Sequence, residues 1–179
     1  MNLKNVVPSI LFRTTAPFLM WLPSLMIRRF YLSFFLKKFG KHNYVARNID
    51  IRCPHQISIG CNNVINKHTV LDGRGGLIIG DNVDIAQDVM IWTEQHDKDD
   101  SLHRTETKEV IIEDYVWVAS RAIILPGVHL KKGCVVGAGA VVTKEVKSLD
   151  VVAGIPAKVV SKRNNKLEYT LNFHPKFII

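Results

Sequence analysis

The sequence predicts an all-β solenoid, a coil of short parallel strands in which three strands complete each turn. The main observation is a period of six: one aliphatic residue recurs at every sixth position in three blocks of hexads. Such a period is neither the 3.6 of a helix nor the alternation of a hairpin strand. It fits a short strand that ends in a turn, with the aliphatic side chain pointing inward and stacking on its equivalent one coil above. The recurring residues are Ile59, Ile65, Leu71, Ile79, Ile85, Ile91, Ile112, Val118, Ile124, Leu130, Val136 and Val142.

Two further observations support the solenoid. The fifth residue of most hexads is small or aliphatic, with Asn63 and Gln95 as the departures. Glycines also fall near the proposed corners, where backbone freedom is useful, and Pro126-Gly127 is a turn pair by itself. A sandwich of short strands would not keep one six-residue phase from Ile112 to Lys147, so the solenoid is preferred.

The repeat is interrupted twice, and both interruptions predict special structure. Two extra residues lie between Leu71 and Ile79, within a glycine-rich stretch. The second interruption is a polar, charged segment at 97–111, and long loops of this kind are usually functional or disordered. We therefore predict a repeat domain over 41–158 with an extruded loop at 97–111.

Residues 1–40 predict an apolar helical segment that does not cross a membrane. The cleanest apolar run covers only 12 residues, at 16–27, and contains two prolines. A spanning helix needs about 18 apolar residues, and no signal-peptide cleavage site follows. Ser24 can cap a helix running to about Phe39, just before Gly40. We expect this segment to pack in an oligomer or to touch the inner membrane peripherally. Residues 159–179 are predicted to form a tail or a short helix.

Composition places the chain among globular proteins, and its net charge taken alone favours a soluble domain that happens to be basic. It has 179 residues, of which 47% are hydrophobic and 22% charged, and a formal net charge of +8. That charge suggests nucleic acid, a phosphorylated cofactor or an anionic membrane as partner. The three cysteines are odd in number and show no paired spacing, which favours a reducing compartment. We predict a cytoplasmic protein.

Four segments, at 79–89, 116–128, 137–146 and 151–158, resemble the hexapeptide-repeat acyltransferases. The resemblance covers about residues 45–160. It implies a left-handed parallel β-helix, a homotrimer with active sites at subunit interfaces, and acyl transfer from acetyl-CoA. The apolar N-terminal segment followed by KFGKH resembles the polysaccharide O-acetyltransferases in particular.

His96 is the predicted general base. It closes the last hexad before the extruded loop, where similar enzymes carry a catalytic histidine. A sugar hydroxyl is a poor nucleophile at neutral pH, and an imidazole is well suited to accept its proton. His103, within the loop, is the rival candidate.

The resemblance assigns further roles to matched positions. The backbone N–H of Ser120 is expected to stabilise the oxyanion, and Trp117 to lie near the CoA chain. Asn66 and Asp72 are expected to hold acceptor hydroxyls. The spacing around Asp72 departs from the galactoside enzymes, however, and an aspartate before glycine is also an ordinary turn residue. The expected CoA-binding residues are Trp117, Ser120, Gly137, Ala138, Thr143, Lys144 and Lys158, with Arg163 as a weaker candidate.

These expectations combine into one predicted function. The chain is predicted to be an acetyl-CoA-dependent O-acetyltransferase acting on a sugar or glycan hydroxyl in capsule, O-antigen or exopolysaccharide synthesis, without a metal or a nucleic-acid partner. N-acylation of a nucleotide-linked amino sugar would use the same fold and base, so it stays open. A zinc enzyme like the γ-class carbonic anhydrases needs three histidines around one metal, and the spacing of His96 and His103 lacks the close pair of that class. A non-catalytic scaffold would leave the extruded loop and the CoA motifs unexplained.

Overall fold

A computed structural model of the chain describes residues 3–164 and 166–171, with side chains from Ile10 onward. The described part contains two helices followed by short strands in regular order. The helices are α1 (Leu3–Leu19) and α2 (Leu25–Phe35). The first three coils contain β1 (Lys38–Phe39), β2 (Tyr44–Val45), β3 (Asp50–Arg52), β4 (Ile57–Ile59), β5 (Val64–Ile65), β6 (Val70–Asp72), β7 (Leu77–Ile79), β8 (Asp84–Ile85) and β9 (Met90–Ile91). A 3-10 turn at Pro54–Gln56 precedes β4.

A hairpin then leaves the solenoid before the coils resume. It consists of β10 (Glu94–His96) and β11 (Thr105–Thr107). The later coils contain β12 (Val110–Ile112), β13 (Trp117–Val118), β14 (Ile123–Ile124), β15 (His129–Leu130), β16 (Val135–Val136), β17 (Val141–Val142), β18 (Asp150–Ala153) and β19 (Lys158–Lys162). The chain thus makes five full coils and begins a sixth, in which Val146 bridges to Leu130 in parallel.

Corresponding strands of successive coils pair in parallel and form the three faces of a prism. The first sheet is β1-β4-β7-β12-β15, the second is β2-β5-β8-β13-β16-β18, and the third is β3-β6-β9-β14-β17. We name the three edges after a residue on each: the chain turns from the first to the second sheet at the Asn63 edge, from the second to the third at the Ser120 edge, and from the third to the first at the His96 edge. The predicted solenoid is confirmed.

The core includes every aliphatic residue that the six-residue period selected. All twelve are buried, and none exposes more than 2% of its surface. The pairing register stacks them directly, for example Ile65 on Ile85 and Ile85 on Val118. Each coil therefore buries its apolar side chains against the next, and burial of this kind is the main favourable term in folding.

Asn63 departs from the repeat because it replaces apolar stacking by a hydrogen-bonded ladder. It is fully buried, and its side-chain oxygen accepts from Val83 N–H at 2.7 Å while its amide donates to the Gly80 carbonyl at 2.9 Å. Asn43, one coil below, accepts from Asn63 N–H at 2.9 Å in the same way. Gln95 departs for another reason, since it lies in β10, where the chain has left the coil.

The N-terminal segment forms a helical hairpin over the first coil. Ser24 caps α2 as expected, accepting from Ile27 N–H at 3.4 Å. The helix ends at Phe35, earlier than predicted, because Lys38 and Phe39 pair with β4 and start the first sheet. Both described helices fall short of the length and apolar character that a membrane-spanning helix requires.

The C-terminal region begins with an antiparallel pair. Strand β19 returns along β18. The remaining described residues, up to 164 and 166–171, contain no helix. Residue 165 and residues 172–179 of the predicted tail or helix lie outside the described part.

We expect Asn63→Ala to destabilise the fold strongly, because it leaves the Val83 N–H and the Gly80 carbonyl buried without a partner. Each unsatisfied buried group costs about 1–3 kcal/mol. Ser58→Ala, at an outward position of the same coil, is the control and should change stability by less than about 0.5 kcal/mol. Urea denaturation followed by circular dichroism measures both, and equal midpoints for the two variants would contradict the ladder's role.

Candidate active site

The extruded segment is a β-hairpin that projects from the His96 edge. Glu94 pairs with Thr107 and His96 with Thr105. The turn of the hairpin occupies 97–104, and the coil resumes at Val110. The loop predicted at 97–111 is therefore shorter, since three of its residues form β11 and two belong to β12.

The hairpin fixes the ring of His96. Its Nδ1 lies 2.8 Å from the backbone carbonyl oxygen of His103, so Nδ1–H donates and Nε2 carries the lone pair of the neutral ring. The His103 ring stacks on it with centroids 3.9 Å apart and planes within 7°. Carbonyl and ring together hold one tautomer and one orientation of His96, which is the arrangement a general base needs.

A pocket of about 400 Å³ adjoins His96. Binding pockets for small molecules commonly have about 300–1,000 Å³, so a sugar fits this volume. The lining residues are Arg74, Trp92, Glu94, Gln95, His96, Thr105, Leu125 and Pro126.

Asp72 does not face this pocket as a free carboxylate. It is fully buried, and it accepts from Arg74 Nε at 2.9 Å, from Arg74 Nη2 at 3.1 Å and from Thr93 N–H at 3.0 Å. Burial raises the pKa of Asp72, but these hydrogen bonds outweigh it, so the pKa lies below its ordinary value. Asp72 therefore holds Arg74, which also pairs with Glu94 and keeps 30% of its side chain exposed.

The two extra residues of the glycine-rich stretch build this arrangement. Arg74 N–H donates to Asp72 Oδ1 at 3.1 Å, and Gly75 N–H donates to Thr93 Oγ1 at 2.8 Å. A Cβ at Gly73 would lie 2.6 Å from the Cys53 carbonyl oxygen, and one at Gly75 would collide with Thr93. The sequence did not identify Arg74 and Glu94 as site residues, although the two-residue insertion indicated special structure in the stretch that contains Arg74.

The Ser120 edge carries a different set of predicted residues. Gly139 N–H donates to the Ser120 carbonyl at 3.0 Å, so the two corners stack. The neighbouring Ala119 N–H and Arg121 N–H are bonded within the protein, whereas Ser120 N–H has no partner among the described residues. The other residues near this edge are Asn66, Trp117, Gly137, Ala138 and Lys158.

Two of these have informative surroundings. Trp117 lies on β13 and exposes 45% of its surface. The Asn66 amide donates to the Ile85 carbonyl at 3.1 Å, one coil above. Asn66 and Asp72 were both expected to hold acceptor hydroxyls. Within one chain they lie on different edges, Asn66 on the Ser120 edge and Asp72 on the His96 edge.

The predicted site residues are therefore divided between two edges of the prism. Asp72, His96, Thr143 and Lys144 lie on the His96 edge. Ser120 is six residues from Pro126, which lines the His96 pocket. The two lie on opposite edges of the third sheet, with β14 between them. A single chain does not bring Ser120 to His96.

Metal-ligating side chains are not clustered in the described ranges. No three His, Cys, Asp or Glu side chains within 3–164 and 166–171 are placed to hold one metal ion. All three cysteines are free, and burial raises the pKa of Cys134 to about 12.

Comparison with known proteins agrees with the fold and the repeat. Residues 109–144 match the family model described as bacterial transferase hexapeptide (six repeats). Galactoside O-acetyltransferase of Lactococcus lactis is 30% identical over 131 residues, covering 68% of this chain and 63% of the relative. A maltose O-acetyltransferase from Clostridium difficile superposes with a TM-score of 0.82 at 27% identity, covering 92% of this chain and 90% of that one.

A third comparison concerns the fold alone. A hexapeptide-repeat-containing acetyltransferase from Vibrio cholerae, solved with acetyl-CoA, superposes with a TM-score of 0.82 at 24% identity, covering 92% and 91% of the two chains. The present chain belongs to the hexapeptide-repeat family and has its left-handed parallel β-helix. It spans less than two thirds of the length of the curated relatives it matches, namely 61%, 45%, 64% and 63%.

Proposed function

We propose that this protein is an acetyl-CoA-dependent O-acetyltransferase acting on a sugar hydroxyl. The observation that carries the proposal is the fixed His96 ring, whose Nδ1 is bound to a carbonyl and whose ring lines a pocket of sugar size. The similarity to galactoside and maltose O-acetyltransferases supports the reaction class.

The proposed chemistry is a single acyl transfer. His96 Nε2 takes the proton of the acceptor hydroxyl as its oxygen attacks the acetyl carbonyl, and the C–S bond to CoA breaks. Ser120 N–H stabilises the negative charge that develops on the carbonyl oxygen, a contribution of about 3–4 kcal/mol for comparable donors. His96 then returns the proton to the departing sulfur. The products are an acetyl ester and CoA, and the thioester supplies the activated acyl group.

The Ser120 edge suits the acyl donor. Gly137, Ala138 and Gly139 present small residues, and the position of a Cβ at Gly139 is open space. The unbonded Ser120 N–H is available there, and the exposed Lys158 offers a positive charge for a phosphate. Lys144, exposed on the His96 edge, supplies another.

We further propose a homotrimer in which each site forms between subunits. The division of the site between two edges supports it, because a neighbouring subunit can bring its Ser120 edge to the His96 edge of the first. The outer face of the third sheet, between these edges, carries an apolar ladder of Val70, Met90, Ile123 and Val141. Met90 exposes 39% of its surface in the single chain, so the ladder is suited to burial between subunits.

The N-terminal hairpin is proposed to contact an anionic inner membrane. Met26, Phe30 and Phe34 follow one another at four-residue spacing on α2 and expose 80%, 67% and 69% of their surfaces. Another face of α2 is buried, and from it Arg28 donates to the Val45 carbonyl of the first coil at 3.1 Å, so the stripe is left exposed to solvent. Lys37 and Lys38 are exposed beside it. Membrane contact would bring the enzyme to glycans of capsule, O-antigen or exopolysaccharide synthesis.

Replacing the base tests the proposed reaction. We expect His96→Ala to lower kcat by at least about a hundredfold and to leave CoA affinity nearly unchanged. His103→Asn is the comparison variant: it keeps the backbone carbonyl that binds His96 Nδ1, tolerates the positive φ of +50° and removes only the stacked ring, so it should lower kcat less than His96→Ala does. Acetyl-CoA consumption is measured against neutral sugars, charged sugars and amino sugars. Normal turnover in a folded His96→Ala variant would remove His96 from the mechanism, and acetylation of amino groups alone would replace O-transfer by N-transfer.

Reversing the charge of Lys144 tests the donor site. Lys144→Glu should raise the KM for acetyl-CoA more than the KM for the acceptor, because a carboxylate repels phosphate. Lys147→Glu, at another exposed position, makes the same charge change outside the predicted groove. An equal KM for acetyl-CoA in the two variants would show that Lys144 does not bind the donor.

Vesicle sedimentation tests the membrane contact. The full chain should sediment with vesicles containing anionic lipid and less with neutral ones, since each basic residue near the surface contributes about 1 kcal/mol. Exchanging Met26, Phe30 and Phe34 for serine should abolish sedimentation without changing the circular dichroism spectrum. Loss of the trimer in that variant, with no vesicle binding by the wild type, would identify the stripe as an assembly surface instead.

A further inference from the structure

A second cavity, of about 590 Å³, lies between helix α1 and the His96 edge of the first coil. Phe12, Arg13, Ala16 and Pro17 line it from the helix, and Arg52 and Arg74 line it from the solenoid. We propose that this cavity binds an anionic group, phosphate or carboxylate, carried by the same sugar acceptor that reacts at His96. The inference rests on the proposed function for the identity of the acceptor, but the binding site stands on its own geometry.

One cation at the cavity has no compensating carboxylate. Three arginines line the cavity, but Arg52 pairs with Asp50 and Arg74 pairs with both Asp72 and Glu94. Arg52 places both Nε and Nη2 at 3.2 Å from one oxygen of Asp50, which leaves Nη1 unused in that pair. Arg13 makes no ion pair with any residue that the structure describes. An incoming anion therefore meets at least one cation whose charge is not already compensated.

Arg74 is held in place with donors to spare. A guanidinium has five N–H groups, and Arg74 uses one each from Nε and Nη2 on Asp72 and one from Nη1 on Glu94. One N–H of Nη1 and one of Nη2 remain. Because two buried or half-buried carboxylates fix the plane of the group, these donors are pre-organised for a phosphate or carboxylate.

The walls of the cavity strengthen such an interaction. Phe12 is 3% exposed and stacks on Tyr31 with ring centroids 5.4 Å apart, so this wall is rigid. Arg52 lies over the Trp92 ring, with its central carbon 4.8 Å from the centroid. Apolar and aromatic walls lower the local dielectric constant, and charge interactions are stronger there than in water.

The position of Arg74 connects this cavity to the reaction. Arg74 lines both the arginine cavity and the His96 pocket, and Trp92 of that pocket contacts Arg52 of the cavity. One ligand can therefore place its anionic group among the arginines and a ring hydroxyl beside His96. The acceptor class that fits is a sugar bearing a phosphate or a carboxylate, and a neutral sugar would leave the cavity unused.

Direct binding to the intact protein tests the proposal without relying on turnover. Calorimetric titrations compare galactose 1-phosphate and galacturonate, as the phosphate and carboxylate probes, with methyl galactoside as the neutral probe. We expect at least one anionic probe to bind about tenfold or more tightly than the neutral one, with affinity falling as salt rises. Inorganic phosphate should compete if the anion alone is recognised.

Variants assign the binding to the cavity. Arg13→Gln should remove about tenfold or more of the affinity for the anionic probe and leave methyl galactoside unaffected. Arg13→Lys, which keeps the charge, should restore part of it. Arg29→Gln removes the same charge from α2 outside the cavity and should bind like the wild type. Since Arg13 is exposed on the helix surface, both Arg13 variants are expected to fold, which circular dichroism verifies.

The outcomes separate this inference from the proposed function. Equal affinity for charged and neutral probes, or an Arg13→Gln variant that binds like the wild type, overturns the anion site. Tight, Arg13-dependent binding supports it, even if no acetyl transfer is detected and the proposed function fails. The His96→Ala variant should bind the anionic probe as tightly as the wild type does, while losing turnover. Loss of probe binding in this variant would contradict the separation of the arginine cavity from the His96 pocket.

Discussion

Inward-facing aliphatic side chains stack from coil to coil along all three sheets, and the rest of the structure depends on this stacking. A single coil of six-residue strands cannot bury its apolar side chains by itself. Ile79 is buried only because Ile59 lies below it and Ile112 above it, in strict parallel register. The outward residues are released from this constraint, so chemistry is confined to the outer faces and the edges. The extruded hairpin follows the same logic, because Ile112 resumes the stack directly after it.

The edges differ in backbone geometry, and this difference explains which edge can accept extra residues. Corners on the Ser120 edge repeat one turn, with positive φ at His68, Asp88, Arg121 and Gly139. Each corner also bonds to the corner below, as Gly139 N–H does to Ser120. An extra residue there would break both the turn and its bonding partner. The His96 edge lacks this uniform corner, and it holds both the two-residue insertion and the hairpin.

The sequence could predict the features that repeat, and it could not predict those that depend on a local exception. All twelve positions that the six-residue period identified are buried in the core, because inward side chains obey one constraint in every coil. Asn63 was recognised as a departure, but its ladder needs the bonding partners of the adjacent coils, which spacing does not reveal. Asp72 illustrates the same limit at the site. The resemblance to sugar acetyltransferases suggested a ligand for hydroxyls, whereas in the structure Asp72 is buried and pairs with Arg74.

The two-edge division of the site follows from the period itself. Residues three hexads apart share an edge, while residues one hexad apart are separated by a whole face. Ser120 and Pro126 are one hexad apart, so no adjustment of side chains can bring Ser120 to the His96 pocket within one chain. Within one chain the repeat therefore keeps the residues predicted on the Ser120 edge apart from those on the His96 edge.

The difference between the two edges also determines which side chains each of them can present. The Ser120 edge is built of corners that repeat one turn, and its upper corners carry the unbonded Ser120 N–H and the small residues Gly137, Ala138 and Gly139. The His96 edge is irregular, so an insertion there can change what the acceptor pocket presents without disturbing the core. In this chain the insertion presents Arg74, fixed by Asp72 and Glu94, toward both adjoining cavities. This insertion is the one part of the coil that the repeat does not dictate, so it can alter the lining of both cavities while the stacked core stays unchanged.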